Sequence, residues 1–398
     1  MKRRTFVAGA GVIAGASWLA TGVPEHTGES RYLPEPGTLL ARGEKPGKGH
    51  IDIHHHGLPD FYTAALDEHG LGNVAGLPAM AWSAEQSLAL MDASGTQTAI
   101  LSLPAPGVWL GQNPAATQLA RRSNEWFAEL GQRHAGRFGS FASVPLPATE
   151  QACAEAIYAL DTLNADGIVL LASNAGVYLG DRRFDELMAE LHRRQATVFV
   201  HPNLHTSSID VGLPAPPYTV EFACDLTRAA VNLVLSGTLE RYPHIRWILA
   251  HGGGFLPYAA WRVSLANALP ELQEKAPQGV MTYLKRFYFD TALVTSAPAM
   301  AVLAQLVEPS HLLFGSDCPT LPAELIKTEA AALNTASPWT PTQVAAIRRG
   351  NALSLFSRYA APGEWVQLAP VYQAESTRQW LARTARKPLG AIAQRLKD

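Results

Sequence analysis

The chain has 398 residues, 47% of them hydrophobic and 17% charged, with a formal net charge of −2. This composition fits a globular protein with a sizeable core and leaves no basic surface for nucleic acid or an anionic membrane. Cys153, Cys224 and Cys318 are odd in number, far apart and without CxxC spacing, so buried reduced thiols are expected rather than a thiolate metal site.

The first seven residues, Met1-Lys2-Arg3-Arg4-Thr5-Phe6-Val7, set paired arginines before an Ala/Gly-rich apolar run that reaches about Leu19. Ala20-Thr21-Gly22 then offers a cleavage site. This is the plan of a twin-arginine signal peptide over residues 1–22, and it predicts a periplasmic or otherwise exported protein. The run is too short and glycine-rich to span a bilayer comfortably, so no stable membrane insertion of the mature protein is expected. Residues 23–48, rich in Pro, Gly and Glu, read as a linker.

From residue 49 to 358, strand-like and helical patterns alternate. Strands are expected at Ile51–His54, Thr98–Leu103, Phe138–Val144, Gly167–Leu171, Thr197–His201, Arg246–His251, Arg286–Asp290 and Leu312–Gly315. Between them lie helical patterns at Ser83–Ser94, Pro114–His134, Glu150–Leu163, Phe184–Gln195, Phe222–Tyr242 and Pro298–Val307. That alternation has the count and length of a (β/α)8 TIM barrel. An open doubly wound sheet is the rival, but it has no reason to place ligands on its first and last strands, which are neighbours only in a closed barrel. The connections Gly57–Trp82 and Asn203–Val220 are longer than ordinary βα loops and are candidates for the wall of a pocket or a lid. Residues 359–398 form an extension, and its basic stretch Glu375–Lys397 reads as a helix for packing or subunit contact.

Polar and ionisable residues recur where these strands end. His54 and His56 are two apart on a strand, so both imidazoles face one side while His55 faces the other. His201, His251 and Asp317 stand at the ends of three further strands. Imidazoles and a carboxylate converging on one barrel mouth predict a divalent metal site at the C-terminal ends of the strands. Asp52 is expected to brace the strand rather than bind metal, and His205 reads as a loop histidine. Asp290 ends the seventh strand, placed either to orient Arg262 or to cap the next helix. Trp82, Phe222 and Trp261 lie near the predicted mouth, where packing competes with a role in the pocket wall.

The stretches Ile51-Asp52-Ile53-His54-His55-His56-Gly57-Leu58-Pro59, Phe199-Val200-His201-Pro202, Ala250-His251-Gly252-Gly253-Gly254, Phe287-Tyr288-Phe289-Asp290 and Phe314-Gly315-Ser316-Asp317-Cys318-Pro319 resemble the amidohydrolase superfamily. Within it they are similar to the decarboxylases of amino-carboxymuconate semialdehyde, γ-resorcylate and 6-methylsalicylate, over residues 50–358. The resemblance implies that His54, His56, His201 and Asp317 bind one divalent ion, zinc or manganese. It implies that His251 is an acid/base beside the site and that Arg262, eleven positions on, reaches a substrate carboxylate, often across the interface of a homodimer. Asp290, Trp82 and Phe222 are the further candidates for contact with substrate, and Asp317 joins His251 as a candidate proton donor.

Two absences narrow this family further. The fourth strand runs Gly167-Ile168-Val169-Leu170-Leu171-Ala172-Ser173 without the bridging lysine of binuclear members, so one metal is expected. His201 is followed by Pro202-Asn203-Leu204-His205, without the glutamate of the deaminases. The segment Gly76–Trp82 lacks the second substrate arginine of the amino-carboxymuconate enzyme, which favours a flatter, less charged acid such as a 6-methylsalicylate-like substrate. The expected function is therefore metal-dependent, non-oxidative decarboxylation of an aromatic or enolic carboxylic acid. A mononuclear hydrolase of a lactone, ester or amide is the alternative, and a non-catalytic exported metal-binding protein is the second.

Overall fold

The computed structural model describes residues 48–78, 81–211, 214–335 and 338–372. The predicted signal peptide, nearly all of the linker and the Glu375–Lys397 helix lie outside the described residues.

Eight parallel strands follow one another around a single sheet: β1 His50–His56, β2 Thr96–Ser102, β3 Phe138–Ser143, β4 Gly167–Leu171, β5 Thr197–His201, β6 Arg246–Leu249, β7 Tyr288–Asp290 and β8 Leu312–Leu313. The ring is closed by the chain just beyond β8. Ile53 N donates to Phe314 O, Asp317 N to His54 O and His56 N to Cys318 O, at 2.7–2.9 Å. The first and last strands are thus neighbours, as the ligand pattern predicted, and the architecture is a TIM barrel rather than an open sheet.

Strands such as β4 (Gly-Ile-Val-Leu-Leu) are apolar without alternation because both faces are covered, one by the barrel interior and one by helices. Ile51, Ile53, Phe141, Ile168, Phe199 and Phe289 belong to the main core, and Phe141 stacks on Phe199 with centroids 5.3 Å apart. The helices used below are α1 Asp60–Glu68, α2 Ala84–Ser94, α3 Asn113–Arg133, α4 Thr149–Asp161, α5 Asp185–Arg193, α6 Glu221–Leu235, α7 Thr238–Arg241 and α8 Leu256–Ser264.

Three expected elements differ from the sequence pattern. The helix read as continuous from Phe222 to Tyr242 is two, α6 and α7, because Gly237 takes a left-handed φ of 80° that no helix can carry through. The sixth strand stops at Leu249, and His251 sits in a following 3₁₀ turn with φ 47°. The eighth strand ends at Leu313, so Asp317 lies on the turn beyond it, with φ 57°. Short polar or reactive residues in left-handed conformations outside strands are where backbone strain tends to be functional.

The two long mouth connections meet each other. Tyr218 N donates to Ala75 O at 3.1 Å, which joins Asn203–Val220 to Gly57–Trp82. Cys153, Cys224 and Cys318 are unpaired, Cys318 being buried. Among the described residues no helix is long and apolar enough to cross a membrane.

Candidate metal centre

His54 and His56 emerge from β1 on its inner face with 0% and 1% exposure, while His55 turns outward. Its Nδ1 lies 3.0 Å from Asp52 Oδ2 and its Nε2 2.7 Å from Ser87 Oγ on α2. Asp52 also accepts from His54 N and from Ser316 N and Oγ, so it ties β1 to the turn that carries Asp317. The expected bracing role of Asp52 has a geometry: it fixes both sides of the closing seam.

The four inward histidines share one arrangement. Each directs Nδ1 at an oxygen: His54 at Asp290 Oδ2 (2.6 Å), His56 at Ser102 O (3.3 Å), His201 at Pro202 O (2.8 Å) and His251 at Ala292 O (3.3 Å). A carbonyl can only accept, so Nδ1 carries the proton in His201 and His251 and Nε2 is left as a bare lone pair, whereas His56 Nδ1 also meets Ser102 Oγ at 3.4 Å. His54, His201, His251 and Asp317 each offer a ligand atom within 4.8 Å of the others. His56 stands beside this group rather than in it, its ring centroid 5.1 Å from that of His54 and 5.0 Å from that of His201.

Such a set fits a cation. His54 Nε2 is buried without a hydrogen-bond partner, 3.2 Å from Asp317 Oδ1 in a geometry too poor for a bond. His56 Nε2 is hydrogen-bonded to the same oxygen at 3.1 Å. Imidazole nitrogens crowded around one buried carboxylate oxygen need either protons or a cation among them. Burial alone would discharge His54, but Asp290 and Asp317 outweigh it and raise its pKa to about 10. His201 is driven well below the usual imidazole range by burial and then by the neighbouring histidines. His56 and His251 are also lowered, burial being the largest cause. Asp317 stays ionised well below the usual carboxylate range: His54, His56 and His251 overcome the opposing effect of burial. Without an ion His54 thus holds a proton that a divalent cation would displace, leaving neutral imidazoles and a carboxylate as its donors.

The remaining candidates divide. Phe222, half-buried at the start of α6, lies against His201 with centroids 6.3 Å apart. Trp82 packs edge-on against Trp126 of α3 in the smaller core cluster. Asp290 was expected to meet substrate or orient Arg262; instead Oδ2 holds His54 and Oδ1 accepts from Ala292 N, with 0% exposure. A carboxylate with both oxygens occupied inside the barrel is a support for His54. Arg262 is exposed on α8 and makes no hydrogen bond or ion pair to a described residue, so within its own chain it does not join the cluster. His205 stacks on Tyr178 in the mouth loops, away from the cluster, as a loop histidine would.

Sequence reasoning passed over Thr320, whose hydroxyl donates to Asp317 Oδ1 at 2.9 Å, and Ser102 and Ala292, whose carbonyls orient histidines. Backbone acceptors carry no signal in side-chain identity. Thr320 had one: it sits three residues from Asp317 on a turn, within reach of it.

The sequence profile of the amidohydrolase family matches residues 51–358. Decarboxylase yanB of Aspergillus niger is 38% identical over 79% of this chain and 89% of its own length. The 6-methylsalicylic acid decarboxylase acuB of Aspergillus aculeatus is 36% identical over 77% of this chain and 96% of its own. Among solved structures, an amidohydrolase II is 30% identical and superimposes with a TM-score of 0.72, covering 77% of this chain and 99% of that one.

Proposed function

We propose that this chain, which belongs to the amidohydrolase family, is a metal-dependent carboxy-lyase that removes CO2 from an aromatic acid of the 6-methylsalicylate type. The observation that carries the reading is the convergence of His54, His56, His201, His251 and Asp317 at one barrel mouth, in a chain whose relatives over most of its length are named decarboxylases.

His54, His56, His201 and Asp317 would hold one divalent ion, zinc or manganese, and leave His251 as the acid/base. Bound there, the ion supplies Lewis acidity and a template for the substrate's carboxylate and adjacent oxygen. His251 is the member of the group with some exposure, so it borders the space where substrate enters. Its Nδ1 proton is committed to Ala292 O, which leaves Nε2 to take and return a proton. Decarboxylation requires one proton at the ring carbon that loses CO2. His251 or Asp317, each without that proton at rest, takes it from the substrate's hydroxyl or an entering water and passes it to the ring carbon. Arg262, exposed on α8, would reach a substrate carboxylate in the second subunit of a homodimer. The paired arginines at the N-terminus support export by the twin-arginine route to the periplasm.

The test is isotopic. Turnover of 6-methylsalicylate in D2O should place one deuterium on the ring carbon that carried the carboxyl group, with release of CO2. A hydrolase acting on a lactone or ester panel in H2(18)O would instead label a product acid or alcohol. Oxygen incorporation into a carbon-conserved product, without deuterium on carbon, overturns the decarboxylase reading.

A further inference from the structure

Asp225 lies on α6 rather than on a strand, and no motif singles it out. It is fully buried, and among the described residues no lysine or arginine pairs with it and its Oδ1 has no hydrogen-bond partner. Its Oδ2 accepts from Asn203 N at 2.9 Å and from Ser173 Oγ at 3.2 Å. The N–H of Asn203 and the C=O of Pro202 belong to one peptide group, and that C=O accepts from His201 Nδ1 at 2.8 Å. Carboxylate, amide and imidazole therefore form one line from α6 to the centre.

We propose that Asp225 is a positioning residue for His201, acting through the Pro202–Asn203 peptide group. A negative charge on the N–H side of an amide polarises it and makes its carbonyl a stronger acceptor. A stronger acceptor at Nδ1 fixes the tautomer and makes Nε2 a better donor to a metal. His54 has its carboxylate directly, in Asp290; His201 has one at one peptide's remove. Structure alone gives no reason for an acid here, because a neutral amide oxygen could accept the same two bonds without the cost of burying a charge. Burial raises the carboxyl to about 6, with the Asn203 N–H leading the groups that hold it down, so it is ionised at neutral pH.

The proposal rests on His201 being a metal ligand, and its test separates the two claims. Zinc dissociation constants are measured on the full chain by competition with a chromophoric chelator, alongside the unfolding temperature of the zinc-free protein. Asp225→Asn should weaken zinc roughly 10-fold, the low end for outer supports of a metal ligand, without lowering that temperature. Asp225→Ala carries the same expectation for zinc if the amide is not accommodated. Ser173→Ala removes a bond to the same oxygen but leaves the peptide relay, and should keep zinc affinity within about twofold of the parent, far short of a support-residue loss. Unchanged affinity in both Asp225 variants, or an equal loss in Ser173→Ala, overturns the relay. Wild-type zinc affinity in His201→Ala would overturn the ligand assignment itself.

Discussion

At the scale of single residues, the centre is organised by what stands behind each imidazole. Three Nδ1 atoms rest on backbone carbonyls and one, that of His54, on the carboxylate of Asp290. The charged partner marks His54 as the most basic of the four, in keeping with its pKa of about 10 against the lowered values of the others. Asp290→Asn should keep an acceptor in place while removing the charge. Metal affinity is then expected to fall about 10- to 100-fold with the fold intact, and chelator competition with circular dichroism on the same samples checks both halves. An unchanged dissociation constant would mean that Asp290 serves the barrel and not the ion. The inward facing of His54 and His56 was legible, because alternation on a strand fixes which way they point. The partner of Asp290 was not, because a side chain at a strand end can turn toward any neighbouring strand. Only the register of β7 against the closing turn, where Gly315 packs beside His54 and Asp290, decides it.

At the scale of elements, the barrel order followed from apolar runs ending in polar residues, while the ends of those runs did not. β6 and β8 stop short of His251 and Asp317, because both residues take left-handed backbone angles that a strand excludes. Nothing in the residue types announces such a turn except the glycines after His251. α6 carries the further burden of Asp225, which faces Ser173, Tyr178, Asn203 and His205 across the mouth, with Glu221, Cys224 and Arg228 beside it on the helix. Its folded pKa, about 6, lies above the unfolded value of 3.8. The folded chain therefore binds that proton more tightly, and the stability it contributes is complete below pH 3.8 and lost as pH rises through 6. Asp225→Asn has no such proton to lose. In metal-free protein, its unfolding temperature relative to the parent should climb between pH 4 and pH 6 and level off above, a window set by those two pKa values. Metal must be removed from both proteins, since an ion bound only to the folded state would add its own difference. A flat difference across that window would show that Asp225 is not a strained acid.

At the scale of the whole molecule, one face of the barrel is unlike the rest. α8 and the turns around it expose Phe255 (47%), Tyr258 (86%), Trp261 (72%) and Leu265 (56%), and Arg262 lies among them. Aromatic residues with an arginine are the composition of a protein interface core. A patch of this kind on the helix that follows His251 suits a two-fold pairing of identical chains, which would carry each Arg262 toward the other chain's mouth. Hybrid dimers decide this. Arg262→Ala homodimers should show a strongly raised KM with metal retained, and Arg262→Lys should rescue poorly because a point charge does not replace the bidentate fork. His251→Ala homodimers should lose about 10²- to 10⁴-fold in kcat, also with metal retained. When the two are mixed and allowed to exchange subunits, a hybrid dimer has one site lacking both groups and one site with both. Random exchange in equal proportions therefore returns about a quarter of wild-type activity at low substrate, because half the dimers are hybrids and each has one intact site. An arginine acting within its own chain would leave every hybrid site defective, and the mixture would gain nothing over its parents. A chain that sediments as a monomer at full activity would end the two-chain reading, and with it the reason for Arg262 to stand exposed beside three aromatic rings.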